Sequence, residues 1–396
     1  MGKRWSRLLA LLLVCCFALA QPAAGAVDEG TDVTIGTGVA EKPTAEVRVK
    51  WKDSWFAAGA DEYQHELAEA AMALSAAAYV RTAQGRSVQK ALEAFGFDHV
   101  KSYNYQFSAQ SSSRTAYTFA AKSVKDKDGG TVKLVAIVIR GTGVYTEWAG
   151  NLNVGSGSEH EGFAQARDEL MGNLEKYLPE AGVTGKVKFL VTGHSRGGAT
   201  ANLTAARLID AGVVEKEDVY AYTFAAPAVS TEAKAEGYEN IFNLVCGDDL
   251  VPQVPLAQWG YGRYGIDRYL PAKDAGEEDY DRQFAAMNQR YLDLTGQSYA
   301  VYQDRETVEK LTGTLYQLAP AVSGPNMAML SALLRGDLEE LSALVEGNPV
   351  AALLMGRTAI RASSELTPLL QREQAALVSA HCMAGYYSWL AACPEI

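Results

Sequence analysis

The segment Leu190–Thr200, LVTGHSRGGAT, sets a serine between two glycines directly after an apolar run. A G-x-S-x-G sequence at a strand-to-helix turn is the arrangement that lifts a serine hydroxyl out of a sheet edge. Gly193 and Gly197 would supply the residues that tolerate a strained turn. A serine hydroxyl is a poor nucleophile by itself. It needs a base to take its proton and an acid to orient that base. Glycines flanking a serine also occur in plain turns, so the rest of the chain must supply the partners.

The flanking elements fit such a turn. Val187–Thr192 reads as a buried strand and Ala199–Ala211, closed by Gly212, as a helix. Upstream, Ala116–Ser123 and Thr131–Ile139 read as strands around the turn DKDGG, and Gln165–Tyr177 as a helix. Thr131–Ile139, TVKLVAIVI, is almost continuously apolar near its end, which suits a sheet covered on both faces. Downstream, Val219–Phe224 and Ile241–Val245 read as strands, with a short helix or turn at Ala233–Gly237 between them. Asp61–Ala83 and Val88–Phe95 have helical spacing of apolar positions. Alternating strands and helices predict an α/β fold with a mostly parallel central sheet and helices on both faces. Ser195 would then sit at the carboxyl edge of that sheet, where open α/β sheets bind ligands.

On such a sheet the triad order is serine, then acid, then histidine. The chain has five histidines, His65, His99, His160, His194 and His381, and only His381 follows Ser195. His381, in SAHCMAGYY, is therefore the candidate base, while His160 and His194 read as structural. The acid should follow a strand between the two. CGDDLVPQVP offers Asp248 and Asp249 there, and Pro252 and Pro255 prevent further regular structure.

Bulk composition narrows the partners. The 396 residues carry 48% hydrophobic and 21% charged side chains, ordinary values for a globular chain. Formal net charge is −11 and no dense Lys/Arg block occurs, which argues against nucleic acid. Lys3, Arg4 and Arg7 precede the apolar stretch Leu8–Ala20, and Ala24-Gly25-Ala26 resembles a cleavage site. Residues 1–26 thus read as a secretory signal peptide, and the mature chain as secreted. Residues 27–54 are polar and irregular, a strap or linker before a domain over 55–396. From about Asp274 no convincing strand is found, and several helices are expected. Of the five cysteines, Cys246, Cys382 and Cys393 remain after processing. That number allows at most one intrachain disulfide, so stability must come from an ordinary core.

With the elbow, acid loop and histidine in order, the chain resembles the class 3 lipase family, the fungal triacylglycerol lipase group of the α/β-hydrolase superfamily. VIRGTGVYTEW at Val138–Trp148 is similar to its R-G-[ST] loop. HEGF at His160–Phe163 is similar to H-x-G-F, and VTGHSRGGATA at Val191–Ala201 to its serine elbow. YTFAAPAV at Tyr222–Val229 resembles F-G-x-P, with Ala225 in place of the usual glycine. DDLVPQVP at Asp248–Pro255 resembles [ND]-D-x-V-P-x-x-P, and HCMAGYY at His381–Tyr387 its H-x-x-Y ending. These matches are dense from Val138 to Pro255 and thin toward the C-terminus.

The resemblance implies Ser195 as nucleophile, Asp249 as the orienting acid and His381 as general base. It implies an oxyanion hole from the backbone N–H groups of Thr142 and Arg196, with the Thr142 hydroxyl holding its loop. The Arg196 side chain would face solvent or pair with an acid. No cofactor or metal is called for. The substrate would be a lipid or other acyl ester met at a lipid–water interface. A short-chain carboxylesterase, a phospholipase or a non-catalytic binding protein on the same fold are the alternatives. There are departures from the pattern. Asn151 stands where the family often has aspartate. Gly143–Glu159 occupies the lid position. Residues of about 274–370 would form a helical insertion before the C-terminal helix. Gln258–Leu270, QWGYGRYGIDRYL, would line an acyl or headgroup pocket or belong to the core. If the triad forms, Cys246 and Cys382 lie near one another, so a Cys246–Cys382 or Cys382–Cys393 disulfide is to be looked for.

Overall fold

Consecutive residues of the strand Thr131–Ile139 point into two different cores. Val135, Ile137 and Ile139 belong to one, and Leu134, Ala136 and Val138 to the other. Side chains alternate across a sheet, so an apolar run of this kind requires cover on both faces. The computed structural model describes residues 30–83, 85–106, 114–142, 151, 154–255, 257–310, 368–369 and 371–394. The chain separates into the units Met1–Gly30 and Thr31–Ile396, and every element below lies in the second.

The main strands are β1 (Thr31–Gly36), β2 (Thr44–Val49), β3 (Asp98–Tyr103), β4 (Tyr117–Lys125), β5 (Thr131–Ile139), β6 (Val187–His194), β7 (Val219–Phe224), β8 (Ile241–Cys246) and β9 (Ile266–Leu270). The main helices are α1 (His65–Ala77), α2 (Ser87–Ala94), α3 (Glu161–Glu180), α4 (Arg196–Asp210), α5 (Glu277–Thr295) and α6 (Met383–Ala392). Strands β3 to β9 form a seven-stranded sheet in sequential order. β3, β4 and β5 pair antiparallel, whereas β5 to β9 run parallel. This is the mostly parallel, two-faced sheet of an α/β hydrolase.

The order has a simple consequence. Crossovers between parallel strands are right-handed. Strands added in one direction therefore put their connecting helices on one face. α3 (β5 to β6) and α4 (β6 to β7) both pack there, through Leu170, Leu174, Tyr177, Leu203 and Leu208. The other face is covered by α1 and α6, whose Leu67, Leu74, Tyr386 and Trp389 meet Leu190, Tyr222, Phe224 and Leu244 of the sheet. α6 is apolar almost all round and is buried along most of its length.

Several elements differ from the expectation. Residues 31–49, read as an irregular strap, contain an antiparallel hairpin, with Thr31 opposite Val49 and Gly36 opposite Thr44. Val33, Ile35, Val47 and Val49 are buried, a short period-two signal that the surrounding polar residues dilute. β3 and β9 were not expected as strands. Both are sheet edges, where burial is partial and the sequence is correspondingly less apolar. The signal segment 1–26 and most of the lid position, 143–150 and 152–153, lie outside the described residues. So does 311–367 of the expected insertion; of its earlier part, α5 is helical as anticipated.

Candidate active site

β6 ends at His194 and α4 begins at Arg196, so a single residue makes the turn. That residue is Ser195, held at φ 60°, ψ −130°. Such a conformation in a non-glycine residue costs on the order of 1–3 kcal/mol and persists only where the surroundings impose it. Here Ser195 N donates to the Phe224 carbonyl at 2.8 Å, and Ala199 N donates to the Ser195 carbonyl at 3.0 Å. Gly193 and Gly197 have a different role from the one expected. Neither has a positive φ. A Cβ on Gly197 would sit 2.7 Å from the Arg140 carbonyl carbon, and one on Gly193 would sit 2.8 Å from Ile139 O. They are small so that β6, α4 and the end of β5 can meet closely. Ala225, where the family pattern has glycine, also takes a positive φ of 52°.

The acid arrives from β8. After Cys246 the chain turns, with Asp249 N donating to the Cys246 carbonyl at 3.1 Å. Asp249 is 1% exposed. Its Oδ1 accepts from Val251 N at 3.0 Å, and its Oδ2 accepts from Tyr386 Oη at 2.8 Å. The histidine arrives from the C-terminus. Residues 371–381 are helical, the helix breaks at Cys382, and α6 follows. His381 Nδ1 donates to Asp249 Oδ2 at 2.8 Å, and Ser195 Oγ donates to His381 Nε2 at 2.9 Å. Three residues separated by as much as 186 positions thus form one hydrogen-bonded chain. Asp248, the other acid of the pair, turns away and forms an ion pair with Arg305.

The loop after β5 lies against the serine. A side chain on Gly141 would meet Ser195 Cβ at 3.2 Å, which places Gly141–Thr142 in contact with the elbow. Thr142 Oγ1 accepts from Asn151 Nδ2 at 2.9 Å, and Asn151 Oδ1 accepts from Arg196 NH1 at 2.8 Å. Asn151 therefore bridges the two residues expected to present oxyanion N–H groups. The side chain of Arg196 corrects an expectation. It does not face solvent; it is 1% exposed and donates to Asn151 and to the Gly162 carbonyl. A guanidinium has five donors and can serve several acceptors at once. Arg196 also opens α4, whose first turn carries partial positive charge toward Ser195.

His160 and His194 are both buried. His160 stacks on Phe163 at 3.9 Å and donates to the Asn151 carbonyl at 3.1 Å. Burial, reinforced by the Arg196 guanidinium, pushes its pKa down to about 3. His194 donates from Nε2 to the His381 carbonyl at 2.8 Å and is held well below the usual imidazole range by burial, then by the nearby His381. Sequence reasoning gave no role to Tyr386 or Tyr79, and none to the amide of Asn151. Tyr386 stood inside a recognised motif; Tyr79 carried no local signal.

Two further expectations resolve. Cys246, Cys382 and Cys393 are all free and buried, so neither disulfide forms. Cys382 instead caps α6, accepting from Gly385 N at 3.3 Å. Within Gln258–Leu270 the two readings divide. Tyr264 is core, whereas Gln258, Tyr261, Arg263 and Tyr269 line a cavity of about 1130 Å³ to which none of Ser195, Asp249 and His381 contributes.

A two-faced, mostly parallel sheet with a strained serine turn at its carboxyl edge gives the chain the architecture of the α/β-hydrolase fold. Residues 136–259 match the model of the class 3 lipase family. A secreted mono- and diacylglycerol lipase 1 of Fusarium solani is 30% identical over 165 residues, 38% of this chain and 46% of that protein. Toxin TseL of Vibrio cholerae is 38% identical over 98 residues, 24% of this chain and 14% of that protein. The chain thus spans less than half the length of either curated relative. A solved Rhizomucor miehei lipase in complex with its propeptide is 22% identical, with a TM-score of 0.38, over 52% of this chain and 67% of that one.

Proposed function

We propose that the protein is a secreted serine ester hydrolase of lipase type, acting on carboxylic esters of lipids through an acyl-enzyme. The observation that carries this reading is the continuous hydrogen-bonded chain Ser195–His381–Asp249 at a strained serine turn. In this reading the His381 imidazole takes the Ser195 proton as Oγ attacks the ester carbonyl. Buried Asp249 fixes the tautomer that presents Nε2 to the serine and stabilises the imidazolium that forms. The N–H groups of Thr142 and Arg196 receive the negative oxygen of the tetrahedral intermediate. His381 then gives its proton to the departing alcohol, and water repeats the sequence to release the acid.

A lipid substrate is supported by the class 3 lipase segment and by the Fusarium relative, a mono- and diacylglycerol lipase. Secretion is supported by the basic and apolar opening of the sequence and by that relative's secreted status. The deciding experiment pairs Ser195→Ala with wild type on p-nitrophenyl esters and a fluorophosphonate probe. We expect hydrolysis to fall by about 10⁴-fold or more and labelling to vanish. Labelling that persists in the variant would refute the assignment. A folded wild type that neither hydrolyses esters nor takes the label would point to a binding protein on this fold. A panel of short- and long-chain esters, acylglycerols and phospholipids then separates lipase, carboxylesterase and phospholipase.

A further inference from the structure

We propose that His194 is a positioning residue for the general base, tying the backbone of His381 to the wall formed by Tyr79 and Gly141. The inference rests on Ser195–His381–Asp249 being the working triad.

His381 is the last residue of the helical stretch 371–381, and Cys382 is extended at φ −71°, ψ 159°. An uninterrupted helix would satisfy the His381 carbonyl from Gly385 N, four residues on. Gly385 N donates instead to Cys382 Sγ at 3.3 Å. The break therefore leaves the carbonyl of the base among the orphan acceptors at a helix end. His194 Nε2 supplies the donor at 2.8 Å, from a residue 187 positions away in sequence.

The other side of the ring is also fixed. Since Nε2 carries the proton, Nδ1 must accept, and Tyr79 Oη donates to it at 3.2 Å. Tyr79 Oη occupies the space that a side chain on Gly141 would need, beside the residue preceding Thr142. The strut thus runs from the loop of the expected oxyanion hole, through Tyr79 and His194, to the base. His194 is also the residue immediately before Ser195, at the end of a strand with every residue buried. The separation between nucleophile and base is then set by one rigid ring rather than by the helix break. The two imidazoles lie with centroids 5.0 Å apart, and burial keeps His194 uncharged, so it does not compete for the proton His381 receives.

The test uses the full-length mature protein with His194→Phe, His194→Gln and Tyr79→Phe. Phenylalanine keeps the ring's bulk and removes both polar contacts. A glutamine Nε2 reaches about as far as the imidazole Nε2 and restores the donor. Displacing a catalytic group by about 1 Å costs on the order of 100-fold. We expect His194→Phe to lower kcat by about that factor with KM within about twofold, and His194→Gln to recover most of the loss. The low-field proton resonance of the His381–Asp249 bond should broaden or shift in the Phe variant and return in the Gln variant. Tyr79→Phe should fall between wild type and His194→Phe. A folded His194→Phe with wild-type kcat overturns the proposal, as does a glutamine variant as impaired as phenylalanine. If the phenylalanine variant does not fold, the glutamine and Tyr79 variants carry the comparison. The proton resonance needs no turnover, so it tests the strut even if the protein proves not to be an esterase. Absence of fluorophosphonate labelling in wild type would count against the triad reading alone.

Discussion

Tyr386 Oη and His381 Nδ1 both donate to the same oxygen, Asp249 Oδ2, each at 2.8 Å. Oδ1 is held separately by Val251 N, so the carboxylate plane cannot turn without breaking a bond. Tyr386 is itself fixed, accepting at Oη from Cys246 N at 3.0 Å. Tyr386→Phe removes one donor to a buried carboxylate. Hydrogen bonds to charged groups contribute roughly 1.5–3 kcal/mol, so the unfolding free energy should drop by about that amount. With the acid freer to rotate, kcat should fall about tenfold while KM holds. Equal loss of stability with unchanged kcat would make Tyr386 purely structural.

Asn151 makes a second prediction. It donates to Thr142 Oγ1 and accepts from the buried Arg196 guanidinium. Asn151→Ala removes both contacts and deprives a buried cation of an acceptor, at about 1.5–3 kcal/mol. It should also slow acylation by at least about tenfold, because the Thr142 N–H loses its fixed aim. Asn151→Asp should restore most of both losses. Its carboxylate can pair with Arg196 and accept a hydrogen bond from the Thr142 hydroxyl. Urea unfolding and pre-steady-state acylation separate the two effects, and an aspartate variant no better than alanine would contradict this account.

Gly197 is needed for closeness rather than for a special backbone angle. Its missing Cβ faces the end of β5, with the Arg140 carbonyl carbon 2.7 Å from where that atom would lie. These are backbone atoms of a central strand, so they cannot rotate aside. Gly197→Ala should destabilise by at least about 2 kcal/mol, a large value for one methyl group. Gly172, half-buried on α3, has open space around its missing Cβ. Gly172→Ala should leave the unfolding free energy measured in urea unchanged or raise it by up to about 1 kcal/mol.

His160 predicts a pH dependence with a definite sign. Its folded pKa is depressed from 6.5 to about 3, chiefly by burial. Below about pH 6.5 the unfolded chain binds a proton there that the native state refuses, so stability falls as the medium is acidified. The full contribution is present above that pH and is lost progressively toward about pH 3. His194 shifts in the same direction. His160→Phe should therefore be less stable at neutral pH yet lose stability less steeply on acidification. The difference in slope should be about 1.4 kcal/mol per pH unit below about pH 6. Identical slopes in denaturation curves taken at about pH 6 and pH 5 would show that His160 is not held neutral.

The sequence by itself determined the sheet and its punctuation. Thr131–Ile139 and Val219–Phe224 are strands with the expected limits, because buried parallel strands must be apolar on both faces and end at turns. Ordering Ser195, the Asp248–Asp249 pair and His381 along the chain left few candidates, because five histidines offer only one beyond the elbow. What local pattern could not carry was any relation between distant residues. Edge strands β3 and β9 escaped because partial burial weakens the apolar signal. Arg196 read as facing solvent or pairing with an acid, because five donors say nothing about which acceptors will surround them. The choice of Asp249 over Asp248 rested on resemblance. In the structure a turn sends the Asp249 carboxylate toward His381 and that of Asp248 toward Arg305. His381, beside the helix break at Cys382, and the donor that His194 returns to it lie 187 positions apart in sequence. Only folding brings them to 2.8 Å, because a hydrogen bond depends on positions in space that composition and spacing do not encode.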